Sequence, residues 1–464
     1  MIDESTIRRV LDEAASRGAD FAEIFAEDRQ SSSALLDDGR IEELSSGRDR
    51  GAGIRVVVGE STGFAHTSDL SEHGLLAAAT TAAAAARGSS GRGRSAGDSG
   101  GGLRATADVV IAPYEVDKAR KVGLLVTANE TARAAGDAIT QVSARYADSR
   151  RQILVANTDG LISSDDQIRT MFSVSAVASG DTGMQTGRES VGHTVGFELF
   201  DEYDVAELAS RAAQRAITKL AARPAPSGEL PVIIGPGGGG VMFHEACGHG
   251  LEADLIAKGA SVFAGRLGEK VASELVTLVD DGTMAGEWGR FAVDDEGRPA
   301  QRNVLIENGV LVDYMWDGLR ARAEGRQSSG NGRRQSYRHL PMVRMTNTYL
   351  LGGTSRPEDI LEDTETGVYI AHLGGGQVNT ATGDFVFGMT EAYLIENGRI
   401  TEPLREGNLI GNGPAVLSAI DAVGDDFAMG APGTCGKDGQ GVPVGDGVPT
   451  LRVMTGLTIG GTAA

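Results

Sequence analysis

Cysteine and histidine are scarce in this chain, whose 464 residues include only two cysteines and seven histidines. Two cysteines cannot form the disulfide framework of a small secreted protein. Long hydrophobic runs are also missing, since the longest stretch of low polarity, residues 75–86, is too short to span a bilayer. The N-terminus lacks the apolar centre of a signal peptide. The sequence therefore predicts a cytoplasmic protein that does not enter a membrane.

Positive charge is in short supply as well, because 43 lysines and arginines stand against 64 acidic residues and leave a net charge of −21. A phosphate backbone repels such a surface, and no basic stripe compensates for it, so direct nucleic-acid binding is not expected. Glycine, in contrast, is abundant at 66 residues and indicates many tight turns and close backbone approaches. Hydrophobic residues make up 41% of the chain and charged residues 23%, which is typical of a globular protein.

The first half of the chain uses one order of elements twice: a helix, a group of strands and a second helix. The predicted helices cover residues 5–17, 71–87, 114–135 and 204–222. Turn signals at Asp38-Gly39 and Asp159-Gly160 separate the strands, and Asp3 or Ser5 caps the first helix. A flexible linker is predicted at 88–102. The repeated pattern allows an internal structural duplication.

The segment RPAPSGE, residues 223–229, predicts a domain boundary. We expect an N-terminal α+β domain at 1–225 and a mainly antiparallel-β C-terminal domain at 226–464. In the second domain, Asn308-Gly309 and Asn397-Gly398 predict hairpins, and a late helix is expected at 414–423. The predicted fold class is thus α+β, with antiparallel sheets in both halves and a candidate metal helix near the start of the second.

That candidate helix contains the stretch FHEACGHG, residues 243–250, which concentrates metal-ligating side chains. His244 and His249 are five residues apart, so a regular α-helix would turn them about 140° away from each other. A π-bulge, with i→i+5 hydrogen bonds, would bring them to within roughly 50°, and Gly248 lowers its steric cost. Two unrelated histidines on one helix are the alternative.

The residue types in this stretch suit a hydrolytic metal site. Two imidazoles and a third protein ligand leave zinc a fourth position for water, and Glu245 stands where it can accept that water's proton. Glu252 or Asp254 could accept a proton from the outer nitrogen of a ligating histidine; otherwise both are solvated carboxylates at a helix end. The glycine run before the helix lacks the spacing and the lysine of a phosphate-binding loop, so close helix packing explains it better than a nucleotide site does.

Six motifs, in order, resemble the TldD/PmbA family across the second half of the chain: HEACGHGLEAD, DDEG, RMTNT, LIGNG, GTCGKDGQ and LTIGG. The resemblance implies a zinc-dependent peptidase that acts on unfolded peptides. It implies metal ligands at His244, His249 and Cys435, with Glu245 as the catalytic base. It also implies a heterodimer with a TldE/PmbA-type paralogue that lacks the motif, a homodimer being the alternative.

Two cysteines compete for the place of third ligand. Cys247 lies inside the motif, but one short helical segment cannot aim it and both histidines at a single ion with tetrahedral angles. Cys435 lies in a stretch that we expect to be a glycine-flanked loop, GTCGK, which can approach the helix from outside. Lys437 nearby would favour its thiolate. We therefore predict Cys435.

Other interpretations stay open on the sequence alone. The protein could be a non-catalytic regulator whose metal is structural, or, on weaker grounds, a nucleotide-binding protein that uses the glycine run. The segment 334–348 could line a peptide groove by strand addition, although an ordinary strand with a charged loop is the favoured reading. The five remaining histidines are isolated and are expected to be packed or surface residues: His66, His73, His193, His339 and His372.

Overall fold

The computed structural model describes residues 2–86 and 101–460. The predicted linker at 88–102 lies almost entirely outside these residues. The elements of the first half, in chain order, are α1 (Glu4–Ala15), β1 (Phe21–Asp37), β2 (Arg40–Val58), β3 (Ser61–Thr67), α2 (Glu72–Ala85), a 3₁₀ turn (Pro113–Glu115), α3 (Lys118–Ala134), β4 (Ile139–Asn157), β5 (Ile162–Gly180), β6 (Gly183–His193), α4 (Leu199–Glu202) and α5 (Val205–Leu220).

Local sequence signals begin and end these elements as predicted. The Asp3 carboxylate accepts a hydrogen bond from the backbone N–H of Thr6 at 2.9 Å and so caps α1. The chain leaves β1 through Asp38 and Gly39, both with positive φ, which is the conformation of a tight hairpin turn. The third predicted helix begins later than expected, at Lys118, because Pro113 first forms a separate 3₁₀ turn.

The six long strands form one antiparallel sheet in the order β3-β2-β1-β4-β5-β6. Helices α1 and α2 pack on the β1–β3 half, and α3 and α5 pack on the β4–β6 half, each with its own alanine-rich core. The order helix, three strands, helix therefore occurs twice, with β1 and β4 pairing at the centre. This arrangement is the structural counterpart of the repeated sequence pattern.

The second half consists mostly of short strands. Its elements are β7 (Arg223–Pro224), β8 (Gly228–Glu229), β9 (Val232–Ile234), α6 (Gly240–Phe243), a π turn (His244–Gly248), a 3₁₀ turn (His249–Leu251), α7 (Ala253–Ala257), β10 (Leu278–Asp281), β11 (Arg302–Glu307), β12 (Val310–Leu311), α8 (Gly318–Ala323), β13 (Gly332–Arg333), β14 (Met342–Val343), β15 (Asn347–Leu350), α9 (Pro357–Glu362), β16 (Thr366–Val378), β17 (Asp384–Glu396), β18 (Arg399–Arg405), β19 (Asn408–Asn412), α10 (Gly413–Ala419), β20 (Ile420–Val423), β21 (Ala428–Met429), β22 (Gly433–Lys437), β23 (Gln440–Val448), β24 (Leu451–Val453) and β25 (Leu457–Gly460).

These strands form two larger sheets around one large hydrophobic core, beside a smaller cluster of Ile233, Ile360 and Ile395. One has the order β12-β11-β10-β15-β23-β21, with β22 paired to β23, and the other runs β20-β24-β9-β16-β17-β19-β25-β8. Most pairs are antiparallel, as predicted, but β15 with β23, β9 with β16, and β7 with β18 are parallel. Both predicted Asn-Gly hairpins are present, between β11 and β12 and between β17 and β18.

Two local predictions for this half are wrong. The helix expected at 414–423 ends at Ala419, because the next four residues pair with β24 as a strand. Cys435 does not lie in a loop: it lies in β22, which forms a hairpin with β23. Within the described part of the chain, no helix is long and apolar enough to cross a membrane.

Candidate metal centre

The helix that carries the two histidines begins where a glycine run lets it approach two strands closely. A Cβ atom on Gly238 would lie 1.8 Å from the carbonyl oxygen of Ala371 in β16, and one on Gly240 would lie 2.3 Å from the Asp446 carboxylate in β23. Side chains at these positions would therefore push the helix away from both sheets. Close packing accounts for the glycine run, in agreement with the favoured interpretation of the sequence.

The spacing of the histidines is resolved by a π turn at His244–Gly248. The backbone N–H of His249 donates to the carbonyl oxygen of His244, which is the predicted i→i+5 hydrogen bond. The two imidazole rings lie 5.2 Å apart, centroid to centroid, with their planes perpendicular. Gly248 lies within this turn, and a Cβ there would meet the Met345 sulfur at 2.2 Å. The turn thus places both rings on one side of the helix.

Cys435 reaches the same point from the β22–β23 hairpin. Its Sγ lies 3.3 Å from Nε2 of His249, and one ligand atom each from His244, His249 and Cys435 lie within 4.8 Å of one another. All three residues are buried. Zinc bound tetrahedrally at its usual bond lengths places such atoms roughly 3.3–3.6 Å apart, so the set can close on one ion with a small adjustment. The structure therefore brings together the three residues predicted as ligands.

The two cysteines differ sharply in ionisation. Burial would raise the pKa of the Cys435 thiol, but the charge of His244 and hydrogen bonds from His244 and His249 outweigh it and lower the pKa to about 4. Burial alone raises the pKa of Cys247 to about 12, and its Sγ donates to the carbonyl oxygen of Phe243. Since metals bind the thiolate, Cys435 is prepared to ligate and Cys247 is not.

Behind His249 a buried carboxylate completes the site. Glu252 is fully buried, and its Oε2 accepts a hydrogen bond from Nδ1 of His249 at 3.0 Å. Burial would lower the pKa of His249, but the Glu252 charge more than offsets it and raises the pKa well above its usual value. The contact fixes Nδ1 as the protonated nitrogen and leaves Nε2 facing Cys435. Glu252 is therefore not the solvated helix-end carboxylate of the alternative interpretation.

Lys437 supports this carboxylate instead of the thiol. Its Nζ lies 3.0 Å from Glu252, 2.8 Å from Asp254 and 3.1 Å from the carbonyl oxygen of Val343. The sequence predicts that Lys437 favours the thiolate, but the groups that lower the pKa of Cys435 most are the two histidines. The lysine instead stabilises the carboxylate that orients His249, which makes Asp254 a partner of the lysine and not of a histidine.

Glu245 lies at the edge of the site and is partly exposed. Its side chain is 23% exposed, and its Oε2 is 3.8 Å from Nε2 of His249. Among the described residues, Nδ1 of His244 has no hydrogen-bond partner although it is buried. The Asp446 carboxylate lies near this imidazole, and burial raises the pKa of Asp446 to about 6. Glu245 is thus partly exposed, whereas the three proposed ligands are buried.

Arg344 holds the hairpin that carries Cys435, and sequence analysis missed it. The side chain is fully buried; one Nη donates to the carbonyl oxygen of Cys435 at 2.5 Å and the other to that of Gln440 at 3.1 Å. It therefore ties both strands of the hairpin to the segment before β15. The signals for it in the sequence were its place in the RMTNT motif and in a strand-like stretch, and neither distinguishes a buried side chain from an exposed one.

The segment 334–348 is not an open sheet edge. β15 lies between β10 and β23, so both of its edges are already paired. The preceding stretch is largely buried: Arg334 is 1% exposed and Tyr337 also 1%. A groove that accepts a peptide along β15 is therefore excluded. As in the favoured interpretation, β15 is an ordinary sheet strand, and the charged stretch before it packs against the N-terminal sheet.

Three profiles of one protein family match most of the chain. They are described as PmbA/TldA metallopeptidase domain 1, central domain and C-terminal domain, and they match residues 22–86, 111–220 and 227–461. A metalloprotease TldD homolog from Buchnera aphidicola is 39% identical over 99% of this chain and 97% of its own. A protein of the same name from Haemophilus influenzae is also 39% identical, over 98% and 96%. A metalloprotease from Methanothermobacter thermautotrophicus is 38% identical over 99% and 100%.

Solved structures share the fold at lower sequence identity. A protein from Thermotoga maritima named as a modulator of a DNA gyrase has a TM-score of 0.82 and 22% identity, covering 98% of this chain and all of its own. TldE from Thermococcus kodakarensis has a TM-score of 0.78 and 21% identity, with the same coverage. At these identities the likeness concerns the α+β fold alone.

Proposed function

The chain belongs to the PmbA/TldD family and is a metallopeptidase, and from this premise we propose that it uses zinc, bound by His244, His249 and Cys435, to hydrolyse small or unfolded peptides. The observation that supports this assignment most directly is the convergence of these three side chains, from a π turn and a distant hairpin, within 4.8 Å. Glu245 is the general base of the proposal.

The donor set suits zinc better than a hard cation. Two imidazole nitrogens and a thiolate match zinc's preference for nitrogen and sulfur, whereas magnesium and calcium prefer oxygen ligands. Three protein ligands leave a fourth position free, as in catalytic sites. A zinc ion in this position would lower the pKa of a bound water to about 7 and polarise a peptide carbonyl.

Glu245 has the position required to move the protons of the reaction. It is adjacent in sequence to one ligand, is 3.8 Å from Nε2 of another, and is partly exposed. A carboxylate there can accept a proton from the attacking water and pass it to the departing amine. Glu252 keeps His249 in the tautomer that presents Nε2 to the site.

The test is Glu245→Gln, with zinc content and peptide cleavage both measured on the same preparation. We expect full zinc content and a loss of about 10²–10⁴-fold in kcat, because an amide cannot accept the proton. Glu274→Gln, an exposed substitution away from the site, is the matched control. Cleavage by the Glu245 variant within tenfold of the unaltered protein would refute the general-base role of Glu245. Stoichiometric zinc with no cleavage by the unaltered protein would instead favour the alternative, a regulator with a structural metal.

We also propose the remaining organisation expected from the sequence: domains at 1–225 and 226–464, a location in the cytoplasm, and a heterodimer with a motif-less paralogue. The structural likeness to TldE supports the heterodimer, because a partner of the same fold could pair with this chain pseudo-symmetrically. A homodimer is the alternative.

A further inference from the structure

A cavity of about 370 Å³ lies between the six-stranded sheet and the second half of the chain. Strands β1, β4 and β5 form one wall, and residues 288–295, 333–335 and 441–443 form the other. None of the described residues that line it is Glu245 or a proposed metal ligand. The cavity touches the metal centre only indirectly, through the β23 side of the hairpin that carries Cys435.

The charge of the lining is opposite to that of the protein. The chain as a whole has a net charge of −21. The cavity, however, is lined by six arginines and only three carboxylates, namely Arg29, Arg145, Arg151, Arg169, Arg333 and Arg334 against Asp148, Asp294 and Asp295. Concentrated positive charge inside an acidic protein requires a specific explanation.

Arg169 is buried without an ion-pair partner. It is 5% exposed, and its three donor groups contact the carbonyl oxygens of Trp288 and Arg290 and the amide oxygen of Gln167, at 2.7–3.0 Å. No carboxylate among the described residues lies within ion-pair distance of it. Burial, with the nearby charges of Arg333 and Arg151, lowers the pKa of Arg169 to about 9. Its direct contacts are therefore dipoles only, and the charge of the nearby Asp165 carboxylate offsets the fall in the pKa only in part.

The two neighbouring arginines are also incompletely neutralised. Arg333 is 4% exposed and donates to the carbonyl oxygens of Met345 and Pro443, both neutral acceptors. Arg334 is 1% exposed and pairs with Glu23 through one nitrogen, but its Nε and Nη1 have no partner in the described part of the chain. Buried cations usually have a counter-charge, because desolvation is costly.

The acids that face the cavity have other direct partners, although the Asp295 charge partly offsets the fall in the pKa of Arg333. Asp148 pairs with Lys121 at 2.6 Å, and Asp295 pairs with Arg151 at 2.8 Å. Asp294 accepts backbone N–H groups, and burial, with the Glu296 charge, raises its pKa well above the usual value. Outside the lining, Glu27 is shared between Arg29 and Arg151, and Asp165 is bonded to Gln167 and to the Ala292 N–H.

We propose that this cavity is a binding site for an oxyanion, the carboxylate or phosphate group of a small ligand, held by Arg169 and Arg333. Arginine presents a planar fork of donors that matches both anions. Arg29 at the partly exposed mouth, with Ser31, adds charge and a hydroxyl donor where the ligand enters. Trp288 and Phe291 lie against the arginine faces and give the ligand an apolar wall.

Occupation of this site would act on the hairpin of the metal centre. Arg333 donates to the carbonyl oxygen of Pro443, in the strand that pairs with β22, where Thr434 is the residue opposite Pro443. Cys435 is the next residue along β22. An anion that contacts Arg333 would therefore lie one hydrogen bond away from the strand pair that presents the thiolate. The binding itself does not depend on peptidase activity.

The test is a titration of the full-length, metal-loaded protein with inorganic phosphate, followed by melting temperature and calorimetry at an ionic strength held constant with chloride. We expect saturable binding, which non-specific attraction cannot produce at a net charge of −21. Arg169→Met should weaken phosphate binding at least tenfold while zinc content stays unchanged. Arg356→Met removes an arginine that is 68% exposed outside the cavity, and should bind as the unaltered protein does.

A second variant keeps the test decisive if Arg169→Met does not fold. Arg29 is 36% exposed at the cavity mouth, so Arg29→Met should fold and still weaken binding. Short N-acetylated peptides with a free or an amidated C-terminus identify the source of the anion. If the free-acid peptide raises the melting temperature and the amidated peptide does not, the ligand is a peptide carboxylate. If inorganic phosphate raises it instead, the ligand carries a phosphate group. The proposal would be overturned if neither phosphate nor the free-acid peptide bound saturably. It would also be overturned if Arg29→Met bound them as tightly as the unaltered protein does.

Discussion

The carboxylate behind His249 allows the sharpest test of the zinc assignment, through the substitution Glu252→Gln. The side chain is fully buried and accepts from Nδ1 of His249 at 3.0 Å and from Lys437 at 3.0 Å. Glutamine has nearly the same shape, and its amide oxygen can still accept from Nδ1. The substitution therefore removes the negative charge while it keeps the imidazole in place.

The expected cost follows from these contacts. Loss of a partner to a metal-bound histidine typically lowers metal affinity about 10–100-fold, which corresponds to roughly 1.4–2.7 kcal/mol. The effect should be large here because Glu252 is completely desolvated and its charge is therefore poorly screened. Lys437 keeps Asp254 as a partner at 2.8 Å, so the ammonium is not left without a counter-charge.

Zinc affinity is measured by competition with a chromophoric chelator at fixed pH, after circular dichroism has shown that the variant is folded. Asp254→Asn is the matched control, since Asp254 contacts Lys437 but not His249. It should change zinc affinity less than about threefold. A Glu252 variant that binds zinc within threefold of the unaltered protein, or equal losses in both variants, would refute the role assigned to this carboxylate.

Three further predictions concern ligand choice, pH and assembly. Cys435→Ser should lose most bound zinc and all activity, whereas Cys247→Ala should retain both. Metal analysis of the two variants checks this, and the reverse result would mean that Cys247 is the ligand and Cys435 is not. Burial, with the Glu296 charge, raises the pKa of Asp317 to about 7, so the folded state holds a proton that the unfolded chain releases above about pH 4. Stability should therefore fall as pH rises from about 4 to 7, and Asp317→Asn should reduce the drop in Tm between pH 5 and pH 8; an unchanged drop would contradict the pKa shift. Co-expression with a motif-less paralogue should raise peptidase activity, and full activity in a strictly monomeric preparation would exclude that dependence.

Much of the local structure could be predicted because it is encoded over a few residues. The Asn308-Gly309 turn has positive φ at both positions, which these two residue types tolerate, and it forms the predicted hairpin. The five-residue interval between His244 and His249 required an i→i+5 turn if the rings were to meet, and that turn is present. Hydrogen bonds of this kind connect neighbours in the chain, so the pattern of residues is sufficient to predict them.

The predictions that failed depended on partners far away in sequence. The sequence predicts a loop at Cys435, but pairing with β23 makes its segment a strand. The sequence predicts that Lys437 favours the thiolate, but the folded chain brings Glu252 and Asp254, more than 180 residues away, into contact with the lysine. Burial of a polar side chain depends on all the helices and strands that cover it, and these cannot be predicted from a short segment of sequence.

The sequence by itself therefore determined the order of helices and strands, their turns and caps, and the helix motif whose spacing calls for a π turn. Only the tertiary structure decided which groups act on that motif: it brought Cys435 to His249 across 186 residues and enclosed Glu252 and Arg344. It also buried Arg169 with no ion-pair partner among the residues that the structure describes. The physical reason is the separation, along the chain, of the groups that interact. Hydrogen bonds within a turn depend on neighbouring residues, whereas desolvation and charge pairing depend on the surfaces that folding brings together.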